Sequence, residues 1–233
     1  MNIAIIFAGG TGQRMGTEIP KQFLKIDRKP IIIHTIEKFE KNENIDAIII
    51  SCLETWIPKL EKLVKQYNIK KVKSIIPGGE TGQLSIFNGI NTAYKMFPKE
   101  SIVLIHDGVR PFIDNNLINE NIKTTKEKGS AISCVKSTET FTIINENMDI
   151  IKIPKRSESL VAKAPQTFIL DDIYNAHLKA MKEEKYNFID SCTLMDHYNY
   201  HLTVVLTDYD NIKITTPKDI FLAKSIYNRR KND

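Results

Sequence analysis

Two basic residues stand close behind a glycine-rich segment near the N-terminus of the chain. An apolar run at residues 3–7 predicts a buried strand, and Arg14 and Lys21 follow the glycine segment after it. Glycines let backbone N–H groups approach phosphate oxygens, and cations neutralise phosphate charge, so the combination indicates a polyphosphate site. The alternative is a plain turn after a strand. The candidate phosphate-binding backbone comprises Ala8, Gly9, Gly10, Thr11 and Gly12.

This glycine segment matches neither of the two commonest phosphate-binding motifs. The dinucleotide-binding fingerprint needs a third glycine, where this chain has Met15, and an acidic residue at the end of the second strand. The P-loop needs a Gly-Lys pair, which the chain does not contain. A nicotinamide-dependent dehydrogenase would share the alternation of strands and helices described below, but the failed fingerprint argues against it.

Two further predicted strand ends carry groups that suit a nucleotide and its metal ion. Gly78 and Gly79 follow a strand at residues 73–76, and a glycine pair allows close approach to a planar base. Taken alone, this pair is more typical of a simple turn before a helix. Asp107 ends a strand at residues 102–105, and carboxylate oxygens are ligands that Mg²⁺ prefers, so we predict Asp107 as a magnesium ligand.

Strand-like and helix-like segments alternate along the chain, which predicts an α/β fold. This order is typical of a three-layer, mostly parallel sheet with helices on both faces, in which ligands bind beyond the carboxyl ends of the strands. The predicted strands are residues 3–7, 47–52, 73–76, 102–105, 131–135, 164–168, 202–206 and 212–214. The predicted helices are residues 31–39, 56–67, 85–97, 115–128, 170–184 and 190–198, with a last one opening at Thr216 and Pro217.

The alternation is interrupted between residues 136 and 163. Two short β-prone runs, residues 140–144 and 150–154, flank an Asn-Glu-Asn turn, which predicts a hairpin that projects from the sheet. A two-stranded hairpin is marginally stable alone, so we expect this arm to pack on a partner subunit. The whole chain, residues 1–233, is otherwise expected to form one domain.

Composition excludes several classes of function. No signal peptide or membrane span is recognisable, and three cysteines without metal-binding or redox spacing suit a reducing cytoplasm. The net charge of +5 comes from scattered lysines and short clusters without interleaved aromatic residues, so we expect no nucleic-acid binding. A mildly basic chain does suit a small anionic substrate.

Several segments of the chain resemble the motifs of one enzyme family. They are AGGTGQRMG followed by PKQFL, the loop PGGETGQLS, the run IHDGVRPF, a Pro-Gln pair at residues 165–166, and DNIKITTPKD. These resemble cytidylyltransferases that activate sugar-alcohol phosphates, which include the 2-C-methyl-D-erythritol 4-phosphate and ribitol 5-phosphate enzymes. The resemblance implies a Rossmann-like, nucleotide-diphospho-sugar transferase-like fold, CTP and a polyol phosphate as substrates, Mg²⁺ as cofactor, and a homodimer in which the arm clasps the other protomer.

The resemblance also implies roles on the nucleotide side. Arg14 and Lys21 would bind the α- and β-phosphates in the transition state, and Lys213 would bind the α-phosphate. Lys213 alternates with two isoleucines, so we expect it to point away from the buried face of its strand. One departure from the family is Gly82, where an arginine is usual. The residues expected near the cytosine base are Gly79, Glu80 and Ser85.

On the acceptor side, the matching positions come from distant parts of the chain. Arg110 either orders its own loop or binds the acceptor phosphate, and Thr140 and Arg156 would reach that phosphate from the other subunit. Asp210 is a second candidate ligand for Mg²⁺. The implied acceptor-binding residues are Asp107, Arg110, Thr140, Arg156 and Asp190.

Small differences between the motifs of the two branches of this family indicate the acceptor. The Gly-Gly-Thr at residues 9–11 and the Val-Arg-Pro-Phe at residues 109–112 look more like the ribitol phosphate branch. The isoprenoid branch more often has Ala-Ala-Gly and Ala-Arg-Pro. We therefore expect ribitol 5-phosphate or a related polyol phosphate, with methylerythritol phosphate as the alternative. A non-catalytic nucleotide-binding subunit is the more distant alternative, because of Gly82.

Overall fold

The structure of the protein is a computed structural model that describes residues 1–10 and 19–232. The strands are β1 (Asn2–Ala8), β2 (Lys25–Ile26), β3 (Lys29–Pro30), β4 (Ala47–Cys52), β5 (Val72–Pro77), β6 (Ile102–Asp107), β7 (Ser130–Lys136), β8 (Ile143–Ile144), β9 (Ile150–Lys152), β10 (Leu160–Ile169) and β11 (Val204–Leu206). The main sheet has seven strands in the order β11-β7-β10-β6-β1-β4-β5. The helices are α1 (Ile31–Lys41), α2 (Ile57–Gln66), α3 (Gly82–Met96), α4 (Asn115–Lys128), α5 (Leu170–Lys182), α6 (Ser191–His197) and α7 (Pro217–Asn232).

The sheet is parallel apart from β10, which runs antiparallel to β6 and β7. Helices cover both of its faces, so residues of β1 alternate between two cores. Ile3 and Ile5 contribute to one core, while Ala4 and Ile6 contribute to the other, and all four are fully buried. A strand buried on both faces is expected to be apolar, as β1 is after its first residue. The predicted three-layer α/β architecture is confirmed.

Two of the differences between the predicted elements and the structure have local reasons. Helix α3 begins at Gly82 rather than at Ser85, because the hydroxyl of Thr81 accepts a hydrogen bond from the N–H of Leu84 and caps the helix there. The predicted strand at residues 212–214 is wrong. The N–H of Ile214 donates to the carbonyl of Val109, in the loop after β6, so this segment packs against a loop and extends no sheet.

The arm forms a small sheet of its own. Strands β8 and β9 pair antiparallel and are shorter than predicted, and Asn145 organises the turn by accepting hydrogen bonds from Asn147 and Asp149. Its apolar side chains are exposed: Ile150, Ile151 and Ile153 each keep about three-fifths of their surface accessible (59%, 62% and 59%). In the described part of the chain, no helix combines the length and the apolar character needed to cross a bilayer.

Candidate active site

Two cavities adjoin at the carboxyl ends of the central strands. The first, of about 380 Å³, is lined by the glycine segment after β1 and the loop after β5, and we call it the glycine cavity. The second, of about 270 Å³, is lined by Arg110, Lys163 and Asp190, and we call it the charged cavity. The residues that border both cavities are Phe7, Gly82, Asp107 and Lys213.

Close contact between two loops shapes the glycine cavity. The hydroxyl of Ser85, at the start of α3, accepts a hydrogen bond from the N–H of Gly79 at 3.0 Å and donates to the carbonyl of Thr81 at 2.9 Å. A Cβ atom on Gly9 would lie 2.9 Å from the same hydroxyl, and one on Gly79 would lie 2.4 Å from the Cβ of Leu84. Both positions therefore need glycine, and Ser85 fixes the shape of the loops.

Gln22 holds the glycine segment from the other side, and sequence analysis did not single it out. It is buried, and its Nε2 donates to the carbonyls of Ala8 at 2.7 Å and Gly10 at 3.2 Å. Its neighbour Lys21 lines the glycine cavity. The position of Gln22 beside Lys21 in the Pro-Lys-Gln motif was the available signal for a structural role.

Most of the predicted nucleotide-binding residues meet in this cavity. Ala8, Gly9 and Gly10 line it together with Glu80 and the residues named above. The predicted residues Thr11, Gly12 and Arg14 lie outside the described residues.

Asp107 forms the centre of the charged groups between the two cavities. Its carboxylate accepts from Nε of Arg110 at 2.7 Å and lies 2.6 Å from Nζ of Lys213. Burial alone would raise the pKa of this carboxyl group, but the charges of Arg110 and Lys213 lower it to about 2. Asp107 is therefore ionised throughout the physiological pH range and holds both cations.

His106 lies next to Asp107 and contributes to the loop rather than to the cavities. It is fully buried, its Nε2 is 3.1 Å from the carbonyl of Arg110, and its ring packs edge-on against Phe39. Burial lowers the pKa of His106 to about 4. This environment fits a structural role for His106 in the loop after β6.

Asn211 joins the charged cavity to the rest of the fold. Its backbone carbonyl accepts from Nη1 of Arg110 at 2.9 Å and from Nζ of Lys163 at 3.3 Å, and its Nδ2 donates to the carbonyl of Ala164 at 2.6 Å. Burial, and then the charge of Arg110, lower the pKa of Lys163. Lys163 is the cation that sequence analysis missed, because it precedes the Pro-Gln signature without belonging to it.

Asp190 also lines the charged cavity. It caps α6, with one carboxylate oxygen accepting from the N–H of Thr193 at 2.8 Å, and the other oxygen accepts from Nε2 of Gln166 at 2.9 Å. The amide oxygen of Gln166, Oε1, accepts from the N–H of Cys192 at 2.8 Å. This network holds a carboxylate at the cavity surface, where it can accept a hydrogen bond from a substrate hydroxyl.

Three predicted site residues lie away from both cavities within this chain. Asp210 pairs with Arg229 and Arg230 of α7, so its carboxylate fastens the C-terminal helix instead of facing the cleft. Thr140 and Arg156 are exposed on the arm, where Nη1 of Arg156 donates to the carbonyl of Thr138 at 3.5 Å. A role at the acceptor phosphate would require these two residues to come from a second copy of the chain.

The donor groups present suit a magnesium ion that is held largely by substrate. Within the described ranges there is no group of three or more acidic, histidine or cysteine side chains that could hold a metal by themselves. Mg²⁺ usually keeps several waters and binds through one or two carboxylates plus substrate phosphates. Asp107, ionised at the junction of the two cavities, meets that requirement.

Comparison with known proteins gives a consistent result. The family model described as IspD, 2-C-methyl-D-erythritol 4-phosphate cytidylyltransferase, matches residues 2–229. A ribitol-5-phosphate cytidylyltransferase of Vibrio parahaemolyticus is 50% identical over 100% of this chain and 98% of its own length. A 2-C-methyl-D-erythritol 4-phosphate cytidylyltransferase of Clostridioides difficile is 39% identical over 100% and 96%. Among solved structures, the 4-diphosphocytidyl-2C-methyl-D-erythritol synthase of Anaerococcus prevotii superimposes with a TM-score of 0.84 at 27% identity, covering 97% of this chain and 96% of that one.

Proposed function

The chain belongs to the IspD family of cytidylyltransferases, and within this family we propose that it joins CTP to D-ribitol 5-phosphate to give CDP-ribitol and pyrophosphate. It is a CTP-dependent nucleotidyltransferase. The observation that carries the proposal is the junction of two cavities across Asp107 and Lys213. A reaction between two phosphate-bearing substrates needs two adjoining sites with cations at the boundary, because both substrates are anionic.

The nucleotide is assigned to the glycine cavity. Its backbone N–H groups and Lys21 suit the triphosphate, and the loop around Gly79 and Glu80 suits the base. Arg14, outside the described residues, is proposed to act with Lys21 on the α- and β-phosphates. Gly82 leaves open space at the border of both cavities, since no heavy atom lies within 4 Å of a Cβ placed there.

The acceptor is assigned to the charged cavity. Arg110 and Lys163 supply positive charge for its phosphate, and a guanidinium can bond a phosphate dianion through two N–H groups. Asp190 and Gln166 supply hydrogen-bonding groups for the hydroxyls of a polyol. The cavity therefore offers cations for one end of the acceptor and polar uncharged or acidic groups for the remainder.

The reaction needs alignment and charge stabilisation more than proton transfer. An oxygen of the acceptor phosphate attacks the α-phosphorus of CTP, a new P–O bond forms, the bond to the bridging oxygen breaks, and pyrophosphate leaves. Lys213, at the boundary, lies where negative charge increases on the α-phosphate oxygens, and Asp107 orients it. Mg²⁺ bound to Asp107 and to phosphate oxygens would supply further neutralisation of the triphosphate.

The acceptor is tested by measuring pyrophosphate release with CTP, Mg²⁺ and a panel of acceptors. The higher identity to the ribitol-5-phosphate enzyme supports ribitol 5-phosphate as the one with the largest kcat/KM, and we expect methylerythritol 4-phosphate to be at least tenfold poorer. Glycerol 3-phosphate and ribose 5-phosphate serve as controls for length and for the closed sugar ring. Faster turnover of methylerythritol 4-phosphate would overturn the assignment, and no release with any acceptor would favour a nucleotide-binding protein without catalysis.

We also propose that the arm packs against a second copy of the chain and that Thr140 and Arg156 complete the acceptor site of that copy. The exposed isoleucines of the arm support this arrangement, because an apolar surface of this kind is stabilised by burial. The expected assembly is a cytoplasmic homodimer, and three free cysteines are consistent with a reducing compartment.

The dimer is tested by sedimentation of the variant Ile151→Asp. A charge in a buried interface is strongly unfavourable, so we expect this variant to be monomeric at micromolar concentration and inactive, while Lys152→Ala on the same strand remains dimeric. Full activity in a monomeric Ile151→Asp enzyme would exclude a contribution of Thr140 and Arg156 across an interface.

A further inference from the structure

A third cavity, of about 230 Å³, lies between α1, the loop after β6, and α7. We call it the α7 cavity. It shares no lining residue with the glycine cavity or the charged cavity. Its volume is below the range of about 300–1,000 Å³ that is usual for sites of drug-sized ligands, so its occupant must be small.

Aromatic rings form the walls of the α7 cavity. The ring of His34 packs edge-on against Tyr227 with centroids 5.4 Å apart, and its Nε2 is 2.8 Å from the carbonyl of Ile26, which fixes its orientation. The guanidinium carbon of Arg230 lies 5.6 Å from the centre of the Phe112 ring. Flat apolar faces held in this way suit a ring-bearing ligand.

Positive charge also converges on the α7 cavity. Lys38, Arg230 and Lys231 line it. Arg230 pairs with Asp210 at 3.3 Å and donates to the carbonyl of Phe112 at 2.9 Å, and Lys231 lies 3.4 Å from Asp27. Two of the three cations therefore have carboxylate partners within the fold.

Lys38 is the exception. It is half-buried, and among the residues that the structure describes it makes no hydrogen bond or ion pair. Burial, followed by the charges of Arg230 and Lys41, lowers the pKa of its ammonium group. An anion in the cavity would supply the missing partner for this ammonium group and a second partner for Arg230.

We propose that the α7 cavity is an effector site for a small phosphate monoester that carries a single flat ring. The ring lies among Phe112, Tyr227 and His34, and the phosphate meets Lys38 and Arg230. Phosphate is the acidic group that best fits several converging cations, because it carries close to two negative charges at neutral pH.

The same contacts connect the α7 cavity to the charged cavity. Arg230 binds the carbonyl of Phe112, two residues after Arg110, and it also binds Asp210, the neighbour of Asn211. Arg110 in turn donates to the carbonyl of Asn211. A phosphate that binds Arg230 competes with Asp210 for its guanidinium group. Release of Asp210 shifts its neighbour Asn211, which positions Arg110 and Lys163.

The proposal is tested by calorimetric titration of phenyl phosphate into the enzyme saturated with CTP and Mg²⁺ without acceptor. We expect binding that Lys38→Met weakens at least tenfold, while Lys41→Met, an exposed lysine on the same helix, changes it less than twofold. Benzyl alcohol, which has the ring but no charge, should not bind measurably. Equal binding to the wild-type and Lys38→Met proteins, or no binding to either, would overturn the proposal.

Kinetics separate this site from competition in the substrate cleft. Phenyl phosphate should change the KM for the acceptor at least threefold in the wild-type enzyme and in Lys41→Met, and leave Lys38→Met unaffected. An unchanged KM would overturn the effector role, and an effect that persists in Lys38→Met would locate the ligand in the cleft. The titration requires no turnover, so its result is independent of which acceptor the enzyme uses.

Discussion

The glycine cavity and the charged cavity adjoin but are lined by different kinds of residue. Four glycines line the glycine cavity, and its loops approach more closely than a Cβ atom on Gly9 or Gly79 would allow. In the charged cavity, side chains of Arg110, Lys163 and Asp190 form the surface and are held by hydrogen bonds to other residues. We therefore expect the glycine cavity to be disturbed by substitutions that add atoms, and the charged cavity by substitutions that remove a charge.

The largest effect is expected at the boundary, where the two kinds of site meet. Lys213→Met removes a cation that lines both cavities, and we expect kcat to fall by about 10²–10³ because charge on the α-phosphate is no longer stabilised. The fold should be retained, since Arg110 still pairs with Asp107. Single-turnover kinetics check this, with Lys218→Met, an exposed lysine of α7, as the control. A wild-type rate in Lys213→Met would show that the boundary carries no catalytic charge.

A smaller effect is expected from adding one methyl group to the glycine cavity. Gly79→Ala would place its Cβ 2.4 Å from the Cβ of Leu84, so the loop must move, and we expect the KM for CTP to rise at least tenfold. Gly82→Ala is the matched control, because its Cβ meets no heavy atom within 4 Å, and its KM for CTP should change less than twofold. Similar values for the two variants would contradict the view that close loop packing shapes the nucleotide site.

The smallest effect is expected from removing one charge from the charged cavity. Lys163→Met keeps most of the side-chain volume, and we expect the KM for the acceptor to rise about tenfold, equivalent to about 1.4 kcal/mol. The KM for CTP and the value of kcat should change less than threefold, because Lys163 does not line the glycine cavity. Steady-state kinetics with both substrates varied will check this, with Lys95→Met on α3 as the exposed control. A rise in the KM for CTP instead would mean that the two cavities are assigned to the wrong substrates.

Sequence alone predicted the elements whose patterns are local. Strand β4 and helix α4 have their predicted bounds, because a continuous apolar run and a helix that ends at Gly129 are complete signals in themselves. The prediction at residues 212–214 failed because alternating apolar residues look the same in a strand and in a segment that packs one side against a loop. Hydrogen-bond partners distinguish the two, and those lie 105 residues away, at Val109 for Ile214.

Some contacts among the charged groups of the site could be predicted from sequence, and others could not. The Asp107 and Lys213 motifs were recognisable, and the structure brings the two side chains within 2.6 Å. The partners of Asp210 were not recognisable, because Arg229 and Arg230 belong to one of the short basic clusters for which the sequence indicates no partner. Gln22 and Asn211 were missed for a related reason. Both lie in recognisable motifs, but the bonds that they make to backbone carbonyls elsewhere in the chain are not visible in the sequence.

The contacts of Asn211 bear on the range of acceptor lengths that the charged cavity could bind. One carbonyl oxygen serves both Arg110 and Lys163, and the same residue is tied to β10 through Ala164. Both positive groups are therefore bonded to the same backbone oxygen, and Arg110 is held by Asp107 as well. A change in the short stretch of backbone around Asn211 would shift both at once, so tolerance for longer or shorter polyols can be altered from one place without rebuilding the sheet.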